Sequence, residues 1–197
     1  MGAFIKDPKF LVIDLFCGAG GTTTGAELSG VCKVIAAVNH DPLAIASHAA
    51  NHEEVLHMTE DILVADLHPI LKSVAQWKSV YPDAKLVLWA SLECTNFSNA
   101  KGGLPRDADS RSLAHGMFRY LDILNPEYFF IENVKEFMSW GDLDEKGKPI
   151  SKLEGREYVR WIKKIQSYGF KDSYDIAAIK TNIQYRTTVP NFKGGTT

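Results

Sequence analysis

Short apolar runs, closed off by polar or glycine-rich turns, alternate along the chain with stretches of helical spacing. Phe10-Leu11-Val12-Ile13 has the length of a buried strand and runs into the turn Asp14-Leu15-Phe16-Cys17-Gly18-Ala19-Gly20-Gly21. Residues 22–30 then carry the Thr, Ala, Glu and Leu of a short helix that Gly30 ends. Val31 to Val38 predicts a second strand. It leads to Asn39-His40-Asp41-Pro42, where Asp41 suits an N-cap and Pro42 a first helical residue, so an alanine-rich helix is expected over 42–51.

Val55-Leu56-His57-Met58 is a short stretch before Glu60-Asp61-Ile62, and a helix is expected across 66–77. Lys85-Leu86-Val87-Leu88-Trp89-Ala90 predicts a strand that delivers Ser91-Leu92-Glu93-Cys94 at its carboxyl end. Residues 99–110 have the glycine-rich, polar composition of a surface loop, long enough for a lid. Leu113, Met117, Tyr120, Leu121 and Leu124 fall at helical spacing, and Asn125-Pro126 stops that helix before the strand Tyr128-Phe129-Phe130-Ile131. Glu132-Asn133-Val134 ends the strand. Residues 141–152 look like an excursion, 153–168 like an amphipathic helix capped by Gly169, and Ser173 to Lys180 like a final strand. From Thr181 onward there is little periodicity, and no internal repeat is present. The β-α-β-α order predicts an α/β fold with a doubly wound, mostly parallel sheet. Residues 1–180 would form the main folded domain, and 181–197 an irregular tail.

Composition adjusts this picture only modestly. With 197 residues and 45% hydrophobic content the chain is long enough for one substantial core, so one domain is the simplest count. Twenty-two Lys and Arg against 24 Asp and Glu give a net charge of −2, which makes no global electrostatic case for nucleic acid and leaves room for a local basic face. Cys17, Cys32 and Cys94 are an odd number without a C-x-x-C pair, which argues against a disulfide framework and a structural zinc site. No apolar run approaches the ~18 residues of a membrane span and no signal-peptide layout opens the chain. A soluble intracellular, cytoplasmic protein is the expectation.

Polar groups cluster at predicted strand ends: the glycine turn, Asn39, Asp61, Cys94 and Glu132. In open α/β sheets that edge binds ligands. The turn reads G-x-G-G rather than G-x-G-x-x-G, with no basic residue following for a phosphate, so a nucleotide-like ligand is expected without a phosphate cradle. Taken singly, Asn39 and Asp61 also suit helix caps or solvated loops, and Cys94 a buried structural thiol.

The combination resembles the cytosine-C5 DNA methyltransferase family over about residues 10–140. Asp14-Leu15-Phe16-Cys17-Gly18-Ala19-Gly20-Gly21 is similar to its first motif, Cys94-Thr95-Asn96-Phe97-Ser98 to its nucleophile motif, and Glu132-Asn133-Val134 matches its acid motif. The resemblance implies a Rossmann-like fold of the S-adenosylmethionine-dependent methyltransferase type. It implies S-adenosylmethionine as cofactor, double-stranded DNA as partner, and a setting such as restriction-modification in a bacterium or phage. It places Phe16 against the adenine and Cys17, Gly18, Ala19, Gly20 and Gly21 around the methionine end. Asn39 and His40 fall where the family grips the ribose, Asn39 standing in for the usual glutamate. Asp61 and Ile62 fall on the adenine, with Leu113 lining the same pocket. The resemblance makes Cys94 the nucleophile toward C6 of a flipped-out cytosine, Glu132 the group at N3 and the exocyclic amine, and Asn133 the residue that holds local geometry. The loop at 99–110 would close over the base, with Lys101, Arg106 and Arg111 meeting phosphates or forming a solvated charged face.

Two departures accompany the match. The family's proline before the nucleophile is replaced in Leu92-Glu93-Cys94, and a carboxylate turned inward there would raise the thiol pKa. Glu93 is expected to point away. Beyond Ser173 no target-recognition region is evident, although Gln184-Tyr185-Arg186 is similar to part of the family's Q-x-R-x-R motif, with Thr188 in place of its second arginine. The chain thus reads as incomplete or as completed by a partner. A cofactor-binding fragment without activity and an RNA cytosine-C5 methyltransferase are the alternatives. A nicotinamide dehydrogenase lacks the full fingerprint and leaves Cys94 and Glu132 without a role.

Overall fold

The computed structural model describes residues 7–92, 109–133, 135–142, 144–145, 149–152, 154–170, 173–175 and 186–190. The chain divides into two compact units, one of residues 1–91 with 124–130 and the other of 92–123 with 131–197.

In the first unit the apolar runs become strands β1 (Phe10–Leu15), β2 (Cys32–Asn39), β3 (Leu56–Thr59) and β4 (Lys85–Ser91), joined by the start of β5 (Tyr128–Asn133). Their order is β3-β2-β1-β4-β5. β1 pairs in parallel with β2 on one side and β4 on the other, and β2 pairs in parallel with β3. β1 is buried from Leu11 to Leu15, as a central parallel strand is when crossover helices cover both faces of its sheet, and it therefore reads as a near-continuous apolar run. Leu11, Ile13 and Leu15 are fully buried. Trp89 stacks on Phe130 at 5.3 Å, and Phe10 meets Tyr128 edge-on at 5.7 Å.

Helices α1 (Gly21–Leu28), α2 (Pro42–Asn51) and α3 (His68–Val80) are the crossovers. α2 starts where the pattern put it, since Asp41 Oδ1 accepts from the Leu43 N–H at 2.9 Å and Pro42 opens the helix. Because β1 lies between the outward windings toward β2 and toward β4, the carboxyl ends of β1 and its neighbours form the switch point of the sheet.

The second unit contains most of α4 (Asp109–Leu124), a short 3-10 turn at Lys135–Ser139, and α5 (Arg156–Ser167). The Trp161 indole N–H donates to the Ala114 carbonyl at 2.8 Å, and Phe118 packs against both Trp161 and Tyr168. Asn125, at φ 44°, turns the chain after α4, ahead of Pro126. Here the last part of β5 pairs antiparallel with β7 (Arg186–Pro190), which pairs antiparallel with β6 (Ser173–Asp175). β3 supplies the strand end expected before Asp61, from a run that read only as a short stretch; β7 is a strand that the local pattern did not mark, and the expected strand at 173–180 is described only over Ser173–Asp175.

Candidate functional site

The turn after β1 is built from backbone that side-chain-bearing residues avoid. Phe16 has φ 59° and is 7% exposed, Gly18 has φ 52° and Gly20 φ 100°. A bulky residue in the left-handed region costs about 1–2 kcal/mol and is held there by its surroundings. The Cys17 N–H donates to the Val38 carbonyl at 3.2 Å, and the Gly20 N–H to the Cys17 carbonyl at 3.1 Å. The turn is thereby fastened to β2 and closed on itself. Gly20 caps α1 without a side-chain hydrogen bond. A Cβ added at Gly18 or at Gly21 would meet nothing within 4 Å, so both positions border open space.

Adjoining strand ends supply polar groups beside it. Asn39, buried at the end of β2, accepts through Oδ1 from the Asp41 N–H at 2.9 Å, and its own carbonyl takes the Glu60 N–H at 3.1 Å. His40 is exposed next to it. Asp61 follows β3; its Oδ1 accepts from the Leu63 N–H at 2.9 Å and its carbonyl from Val64 and Ala65, a turn that leaves Asp61 exposed and Ile62 buried. The turn residues Phe16, Cys17, Gly18, Ala19, Gly20 and Gly21 are therefore assembled with Asn39, His40, Asp61 and Ile62 at one sheet edge.

Beneath the turn lies a cluster that the pattern of motifs does not reveal. Fully buried Asp14 accepts through Oδ2 from the Thr23 hydroxyl at 2.9 Å. Thr23 Oγ1 lies 3.0 Å from His48 Nε2, and His48 Nδ1 lies 2.8 Å from His57 Nε2. His52 joins Thr24 Oγ1 at 3.0 Å and Glu27 at 3.3 Å. Burial, then His57 and His52, push the His48 imidazole down to about 4. The available signal is His48 on α2 and His52 four residues on, at the cap that ends the helix, opposite consecutive threonines on α1. Cys17 is no candidate nucleophile, because burial and then Asp14 push its thiol up to about 12. Burial likewise raises Cys32.

In the second unit Leu113 lies half-buried on α4, and Glu132 and Asn133 end β5. The Leu92 N–H donates to the Glu132 carbonyl at 3.2 Å, so the chain two residues before Cys94 runs beside the acid motif. On its other side Glu132 is opposite Thr187 and Asn133 opposite Arg186 of β7. Glu93, Cys94, Lys101, Arg106 and the loop residues 99–108 lie outside the described residues, as do Gln184 and Tyr185. Among the described residues no group of His, Cys, Asp and Glu is arranged to hold a metal ion, and no helix is long and apolar enough to cross a membrane.

A family model described as C-5 cytosine-specific DNA methylase matches residues 10–183. The chain is 31% identical over 128 residues to the type II methyltransferase M.AgeI of Thalassovita gelatinovora, covering 64% of this chain and 28% of that protein. It is 26% identical over 144 residues to DNA (cytosine-5)-methyltransferase 1 of Rattus norvegicus, covering 70% and 9%. Among solved structures it resembles an E. coli prophage-encoded DNA modification methyltransferase, with a TM-score of 0.61 and 25% identity over 91% of this chain and 45% of that one. The chain thus spans about a third or less of the length of these curated relatives.

Proposed function

The chain belongs to the C-5 cytosine-specific DNA methylase family, and from that premise we propose that it carries the cofactor-binding and catalytic part of a DNA (cytosine-5-)-methyltransferase acting in DNA modification. The observation that carries the reading is the shared edge at the ends of β1, β2 and β3, where a left-handed glycine turn bordering open space adjoins Asn39 and Asp61. S-adenosylmethionine fits it, because a sulfonium compound requires close backbone approach and polar groups for a ribose and an adenine, and no phosphate cradle.

In this reading Phe16 and Ile62 border the adenine and Asp61 takes its amine. Gly18 to Gly21 admit the methionine end. Asn39 contributes differently from a glutamate: its carbonyl oxygen is engaged by the Asp41 N–H, so the amide end is what it offers a ribose hydroxyl. The cofactor supplies an activated methyl group. Cytosine C5 is a poor nucleophile, so the Cys94 thiolate adds at C6 of the flipped base while Glu132 favours protonation at N3. The ring then has enamine character and C5 takes the methyl group. Loss of the C5 proton and expulsion of the thiolate restore the aromatic ring.

Transfer of labelled methyl groups from S-adenosylmethionine, with duplex DNA and tRNA as alternative acceptors, tests the proposal. Label in cytosine of duplex DNA is expected. Label in tRNA alone moves the substrate to RNA, and cofactor binding without transfer to either leaves a binding module.

Gly20→Ala is expected to raise the dissociation constant for S-adenosylmethionine by about tenfold. The φ of 100° penalises a side chain, and the new methyl would stand 3.0 Å from His52 Cδ2 and 3.1 Å from His48 Cδ2. Calorimetry on both proteins checks this. Unchanged affinity would place the cofactor elsewhere.

A further inference from the structure

We propose that His48 and His57, with Thr23, are positioning residues for the cofactor turn, acting through a one-way hydrogen-bond chain that ends on Asp14. The inference rests on the S-adenosylmethionine reading of that turn. The Thr23 hydroxyl donates to Asp14 Oδ2 at 2.9 Å and so spends its single hydrogen there. The contact of 3.0 Å between Thr23 Oγ1 and His48 Nε2 then requires His48 to donate from Nε2. His48 Nδ1 is left bare, and the contact of 2.8 Å with His57 Nε2 requires His57 to donate in turn. Every link is satisfied with both imidazoles neutral, in the state that burial favours for His48 and His57. Each ring's tautomer is thus dictated from the carboxylate outward.

The chain matters to the turn because of where it is anchored. Asp14 is the penultimate residue of β1, two before Phe16, and Thr23 is in the first turn of α1, so the link spans the turn at its base. His52, which caps the end of α2, holds α1 a second time, through Thr24 at 3.0 Å and Glu27 at 3.3 Å. The His48 and His52 rings stand 4.9 Å apart, closing the space under Gly20. With no side chain capping α1, these contacts from α2 fix where its first N–H groups point. The groups facing His48 are Asp14 and Thr23 from β1 and α1, its own backbone, His52 just past the end of α2 and His57 from β3. The Val55 carbonyl faces His57.

The test combines nitrogen-15 NMR of the imidazoles with calorimetric titration of S-adenosylmethionine into the full chain and its variants. At neutral pH both His48 and His57 are expected as the Nε2–H tautomer. His48→Phe, which keeps a ring and removes the donor, and Thr23→Val, which removes the hydroxyl, are each expected to weaken binding by about tenfold. His48→Gln, which restores a donor near the same position, is expected to remain within about threefold of the parent. A His48 Nδ1–H tautomer overturns the chain whatever the variants do, so the proposal stays testable if His48→Phe fails to fold. Folded His48→Phe and Thr23→Val binding as the parent does would overturn the positioning role. A parent chain that binds no S-adenosylmethionine refutes the cofactor reading instead, with the tautomers still deciding whether the chain of bonds exists.

Discussion

Cys94→Ser is expected to abolish covalent capture of duplex DNA containing 5-fluorocytosine, which the parent chain captures in the presence of S-adenosylmethionine as an adduct stable to denaturing electrophoresis. Addition of a thiolate at C6 and methylation at C5 leave, in an ordinary cytosine, a proton on C5 whose removal expels the sulfur. Fluorine at C5 cannot leave as a proton, so the sulfur-carbon bond persists. A serine hydroxyl at position 94 ionises far too weakly near neutral pH to take over, and methyl transfer should fall by at least roughly 10³-fold, on the scale seen when a nucleophile is removed. The other thiols cannot substitute. Cys17 is buried beside Asp14 and held up to about 12, and burial raises Cys32 as well. An adduct that survives Cys94→Ser would move the nucleophile elsewhere, and a parent chain that transfers methyl groups without forming one would refute the covalent route.

What the sequence made legible is what short-range chemistry dictates. Asp41-Pro42 specifies a helix start by itself, because a carboxylate that reaches an N–H two residues on and a ring that needs no hydrogen bond solve the same local problem. The glycine turn is legible for the same reason: left-handed backbone selects glycine at positions 18 and 20. Phe16 shares that conformation without advertising it, since nothing in its identity signals φ 59°. The strand ends that carry Asn39, Asp61 and Glu132 followed from the order of elements.

Long-range pairing was less legible. β3 has four residues and carries two half-buried positions, too few to show a period, and becomes a strand because β2 offers an open edge at Ala36–Asn39. β7 is defined by partners far back in the chain, Ile131 to Asn133, and by β6. The histidine cluster is similar: His48, His52 and His57 look like ordinary polar positions until the packing of α1, α2 and β3 turns them toward one another. Cys94 and residues 99–108 lie outside the described residues, so the proposed nucleophile rests on its motif and on the neighbouring bond from Leu92 to Glu132.

That bond motivates the second large effect, a loss of methyl transfer of about 10²- to 10⁴-fold in Glu132→Gln, the range in which a positioned acid or base contributes. Glu132 is held by backbone on both sides, with its carbonyl accepting from Leu92 at 3.2 Å and Thr187 of β7 opposite it in the antiparallel register. Glutamine preserves the shape of the side chain and leaves these backbone pairings intact, so the fold should be retained. What changes is the group presented at N3. A carboxyl can hold the proton shared with the ring as Cys94 adds, whereas an amide N–H can only donate a hydrogen bond without giving up the proton. The expected signature is therefore a fall in kcat with the S-adenosylmethionine dissociation constant and the thermal midpoint unchanged, together with slower capture of 5-fluorocytosine DNA, because thiolate addition itself loses its proton donor. Equal losses of cofactor affinity and turnover would instead assign Glu132 to cofactor binding, and an unchanged kcat would remove it from the chemistry.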